Sequence, residues 1–89
     1  MSTAIDPSTI QRDSEKVIRV LSEACQQKAW VRVLMTYMDG EIAFWQQVQA
    51  ERLKWSGSFL WFCYHYSLTK ANLSCQINTI LDVRISDLV

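Results

Sequence analysis

Cys63 and His65 have the clearest capacity for chemistry in this chain: a thiol and the single imidazole, two positions apart. On an extended strand that spacing puts both side chains on one face. The pair suits a nucleophile with its base, or two ligands of a metal ion. Nucleophilic catalysis also needs a third group to orient the base, and no Asp, Glu or Asn lies nearby in sequence. A metal centre needs three or four ligands. A buried cysteine and a histidine satisfied by a backbone group account for both residues without chemistry. The expectation is therefore no catalytic residue, no metal ligand, no cofactor and no enzyme.

The second candidate is aromatic and cationic. Trp30, Trp45, Trp55 and Trp61 are many tryptophans for 89 residues, and indoles beside cations make stacking platforms for bases or planar ligands. The densest such cluster is Arg52, Lys54 and Trp55, with Arg32 as a further cation. These four are the expected ligand- or nucleic-acid-binding residues. Gln46, Gln47 and Gln49 add hydrogen-bonding capacity close by. The competing use of tryptophan is packing, in the core or across a dimer interface. Trp30 and Trp45 are assigned to such an interface, and self-association is expected. With only Gly40 and Gly57 as glycines, no glycine-rich phosphate loop can be built.

Composition narrows the classes. The chain is long enough for one core and, at 49% hydrophobic, able to fold. Nine basic residues balance nine acidic ones, so nucleic acid is not the favoured partner, since such modules usually carry net positive charge. A protein partner is the alternative. Three cysteines without a C-x-x-C spacing argue against a disulfide framework and a zinc ribbon. With no signal-like segment at residues 1–7, this points to a reducing, cytoplasmic setting. No membrane association is expected.

The elements that would position these residues follow from periodicity. Residues 1–6 read as a flexible tail before a single domain at 7–89. Asp6-Pro7 is a helix-start signal, and Asp13 or Ser14 offers a later one. Ile10, Val17, Leu21 and Ala24 fall near one helical face that ends near Gln27 and Lys28. Val31, Val33, Met35 and Tyr37 then alternate as a strand, Asp39-Gly40 signals a tight turn, and Ile42, Phe44 and Val48 resume the alternation. The result is a hairpin of residues 30–38 and 41–49, although Ile42, Trp45, Val48 and Leu53 would also suit a helix over 41–55. Residues 58–68, the most aromatic run, read as the central strand of the sheet, buried on both faces. Leu73, Cys75 and Ile77 alternate as a fourth strand, residues 78–81 form a turn, and 82–85 make a last short strand.

In this order the chain resembles the WYL domain, an Sm-like, SH3-type barrel of bacterial regulators, over residues 17–87. Residues 21–28 (LSEACQQK) resemble its helix, and 31–37 (VRVLMTY) its first strand. Residues 48–53 (VQAERL) are similar to its V-x-P-x-x-L segment, with Ala50 replacing the proline. Residues 57–64 (GSFLWFCY) sit at its G-x-W-Y-L strand, with Phe59, Leu60 and Trp61 at the naming triplet. Residues 77–84 (INTILDVR) match its closing L-D-R-I-x-x-V pattern. The family's ligand-holding arginines fall on Gln76 and Thr79, and its aspartate on Asn78. The resemblance thus implies an α+β fold, an N-terminal helix followed by a five-stranded antiparallel SH3/Sm-like small barrel, without the family's site. The expected function is a non-enzymatic, homodimeric interaction module binding another macromolecule. The alternative is a nucleic-acid- or small-ligand-binding regulator of WYL/Sm type.

Overall fold

The computed structural model describes residues 4–69 and 71–86. Met1, Ser2 and Thr3 of the expected tail, Lys70, and residues 87–89 lie outside the described residues. The chain forms helix α1 (Ser14–Gln27) and strands β1 (Trp30–Tyr37), β2 (Ile42–Ser56), β3 (Phe59–His65), β4 (Leu73–Gln76) and β5 (Ile80–Ile85). All pair antiparallel in one sheet of order β4-β3-β2-β1-β5. The α+β class stands, but the sheet is open: β4 and β5 are its edges. A three-residue 3-10 turn, Ile77–Thr79, nevertheless links those edges. In a flat five-stranded sheet they would lie about 19 Å apart, beyond the roughly 10 Å that three residues span. The sheet must therefore curl.

The helix takes the later of its two start signals. The Asp13 carboxylate accepts from the Lys16 amide at 3.2 Å, satisfying an otherwise free donor of the first turn. Asp6-Pro7 instead opens a short 3-10 turn, Pro7–Thr9, capped by Asp6 on the Ser8 amide. Hydrogen bonds donated by the Ser8 amide and the Ser8 hydroxyl hold the Asp6 carboxyl below its usual range. Residues 1–6 are not wholly a tail: Ile5 exchanges two backbone hydrogen bonds with Ala43, at 2.8 and 2.9 Å. Val17, Leu21 and Ala24 are fully buried, the i, i+4, i+7 stripe of an amphipathic helix. Ile10 lies outside the helix, at the end of the 3-10 turn. The stripe packs on Val31, Val33, Val48, Ala50, Phe62, Ile80 and Val83, which form the core.

Two expectations about the sheet need correction. The aromatic run is not its centre: β3 lies next to the edge, and the middle strand is β2, fifteen residues long. Nor is β3 buried on both faces, since only Phe62 and Tyr64 are buried. The helical alternative for residues 41–55 falls, because they pair with β1 and then β3. The register shifts between Ala50 and Arg52. Glu51 is the extra residue of a bulge, which moves the core-facing phase from Val48 and Ala50 to Leu53. The helical spacing of Ile42, Trp45, Val48 and Leu53 is coincidental, because Trp45 lies on the opposite face from Val48. At the β1–β2 turn, Met38, Asp39 and Gly40 all adopt positive φ, so the strands end at Tyr37 and resume at Ile42 around four residues instead of two.

Candidate functional site: the outer face of the sheet

Pairing register determines which residues share the face turned away from the core. Across β1 and β2, Val31 lies opposite Val48, on the core side. Trp30 lies opposite Gln49, Arg32 opposite Gln47 and Leu34 opposite Trp45, on the outer side. Arg84 of β5 faces Arg32. Beyond the bulge, Arg52 pairs with Cys63, Lys54 with Trp61 and Gln49 with His65, and Cys63 pairs in turn with Ser74. Because partners in register share a face, Trp30, Trp45 and Trp61 all lie on the outer side. So do Arg32, Arg52, Lys54 and Arg84.

Trp55 does not. It pairs with Leu60, one step beyond Leu53 and Phe62, and therefore lies on the core side. It projects past the end of the core and is 68% exposed. Of the four expected binding residues, Arg52 and Lys54 come together, Arg32 lies farther along the same face, and Trp55 is on the opposite one. Trp61 takes the place expected of Trp55. An open groove of about 520 Å³ runs past Lys28, Arg52, Lys54, Trp61, Cys63 and Ser74. The two tryptophans assigned to an interface are engaged within the chain. Trp30 meets the His65 ring edge-on at 6.4 Å. Trp45 lies beneath the guanidinium groups of Arg32 at 5.7 Å and Arg84 at 5.2 Å.

The charge balance conceals a segregation. No carboxylate occurs in residues 52–81, while most of the nine lie before residue 42. Among the described residues, Glu51 and Asp82 are the carboxylates that come near the outer face, and both are already engaged. Glu51 Oε1 is 2.9 Å from His65 Nδ1, and its Oε2 is 3.5 Å from Lys28 Nζ. Asp82 Oδ1 lies 2.9 Å from Lys16 Nζ.

The third group missing beside Cys63 and His65 in the sequence is thus present in space as Glu51. Its surroundings are those of a strut. Lys28, left-handed at φ 52 as the helix C-cap, donates from Nζ to the Glu51 carbonyl at 2.7 Å. The Lys28 carbonyl accepts from Gln49 Nε2 at 2.9 Å. Together these tie the end of α1 to the bulge, which explains a lysine at a position usually given to glycine. Among the described residues, no group of three or more His, Cys, Asp or Glu could hold a metal ion. Burial pushes the Cys25 and Cys75 thiols up to about 11, so both are poor nucleophiles at neutral pH.

No helix among the described residues is long and apolar enough to cross a membrane. Sequence reasoning missed Arg84 and named Trp61 only among the four possible stacking tryptophans, because only cross-strand register brings the two to this face. No family model, curated protein or solved structure matches the chain.

Proposed function

We propose that the chain is a non-enzymatic binding module whose outer sheet face takes single-stranded nucleic acid. The observation that carries this reading is the placement of Trp30, Trp45 and Trp61 on one face with Arg32, Arg52, Lys54 and Arg84. Cations along a groove attract the phosphate backbone, and indoles supply sequence-tolerant stacking surfaces. Net neutrality is a weak objection once the carboxylates are segregated, because the ligand responds to the local field. On this reading the curled sheet is a half-open barrel of SH3/Sm type, similar to the WYL domain. The binding residues then differ from those at the family's positions, where Gln76 and Thr79 stand. A labelled oligothymidylate titrated at low salt should raise its fluorescence anisotropy, and a duplex of equal length should bind more weakly. Equal binding of both, or of neither, would overturn the proposal.

Self-association has its own support in the two open edges. Edge strands present unpaired backbone groups to other chains, and Ile85 on β5 is 46% exposed. A homodimer joined through β5 fits this better than one joined through Trp30 and Trp45. Light scattering that finds only a 10.4 kDa monomer at high concentration would remove it.

A further inference from the structure

Arg32 and Arg84 stand directly opposite one another across β1 and β5. Like charges in register repel, so such pairs weaken a sheet unless something lies between or beneath them. Here the indole of Trp45 lies beneath both, within cation–π reach of each guanidinium. Among the described residues, Asp82 is the neighbouring carboxylate, and it does little to balance them. Asp82 Oδ2 is 4.0 Å from Arg84 Nε, while its Oδ1 is held by Lys16 Nζ at 2.9 Å and by the Val83 amide at 2.8 Å. Both arginines are exposed.

We propose that Arg32, Arg84 and Trp45 form an oxyanion site that seats one phosphate group. Two planar guanidinium forks converging from adjacent strands match the oxygens of a phosphate, each by paired N–H···O bonds. A bound phosphate would also neutralise the repulsion between them. The site is separate from the groove at Trp61. Trp45 and Arg52 are seven residues apart on β2, on the order of 20 Å along an extended strand, too far for one phosphate to touch both. A single strand lying along the outer face of β2 would meet both places, with Gln47 and Gln49 between them. The phosphate site itself does not depend on the groove being occupied.

The four tryptophans give four indole N–H resonances, assignable with single Trp→Phe variants. Inorganic phosphate, titrated against chloride at matched ionic strength, should shift the Trp45 resonance saturably and leave that of Trp55 in place. Arg32→Gln and Arg84→Gln should each weaken this response about tenfold, since each removes one fork. Phosphate acting no differently from chloride, or a Trp45 shift that survives both substitutions, would overturn the site. Oligothymidylate with and without a 5′-phosphate separates the sources. A response to the phosphorylated form alone identifies a terminal monoester, and a response to both identifies the backbone. A Trp45 shift with a silent Trp61 would reject the groove reading while upholding this site.

Discussion

The two faces of the sheet come from the same strands, residue by residue in alternation, yet they differ in nearly every physical respect. On the core side, Val31, Val33, Val48, Ala50 and Phe62 are fully buried under Val17, Leu21 and Ala24 of α1. On the outer side, Arg32, Arg52, Lys54 and Arg84 are exposed, with tryptophans beside them. Among the described residues no polar or charged residue is buried, so the fold keeps its charges to the surface and the helix. The difference teaches that stability and binding are carried by different residues, separated by the pleat alone. Changes on one face should then leave the other's property almost untouched.

The largest test is on the core side. Phe62→Ala should cost about 3–5 kcal/mol in urea unfolding, enough to unfold a small domain. Its strand neighbour Trp61, half-buried on the outer face, should lose much less stability on truncation while losing most oligonucleotide binding. If Trp61→Ala destabilised as much as Phe62→Ala, the separation of the faces would be wrong. Alkaline pH gives the next contrast. Cys25 and Cys75, on the core side, have thiols raised to about 11 by burial, and burial also raises the Tyr64 hydroxyl. The folded state therefore holds protons that the unfolded chain releases near pH 9 from the thiols and near pH 10 from the tyrosine. The stability from these neutral groups is complete below the first of these and is lost as pH climbs from about 9 towards 11. Denaturant midpoints should fall across that window, and Cys75→Ser should make the fall shallower.

A smaller effect is expected at the helix cap. Asp13→Ala should cost about 1 kcal/mol by removing the acceptor for the Lys16 amide, with nucleic-acid affinity unchanged. The smallest change in stability should come from the binding face. Lys54→Ala should stay within about 0.5 kcal/mol of the parent but reduce the salt dependence of binding by about one phosphate contact. A stability loss above that, with salt dependence intact, would make Lys54 structural.

Much of the architecture was legible because local signals agree with the final fold. Asp13 capping, the Val17/Leu21/Ala24 stripe and the alternation from Val31 to Tyr37 can each be read within a few residues. What could not be read depends on register. The bulge at Glu51 breaks the alternation of β2, so the strand expected at 41–49 stops short of its true end at Ser56. The aromatic density at 58–68 suggested a central strand, but density follows side-chain size, and centrality is set by pairing. The candidate site was hidden for the same reason. Lys54 and Trp61 are neighbours only across the β2–β3 hairpin, whereas Lys54 and Trp55, adjacent in sequence, point to opposite faces. Glu51 beside His65 is likewise a product of the bulge.

The salt dependence of oligothymidylate binding tests the central claim most directly, because it counts phosphates engaged by the outer face. If Arg52 and Lys54 each meet one phosphate and Arg32 and Arg84 share one, the slope of log K against log salt should be about −2. It should fall towards about a third of that in a variant lacking Arg52 and Lys54, with thermal stability preserved. A slope near zero, or binding unaltered in that variant, would contradict the assignment of this face.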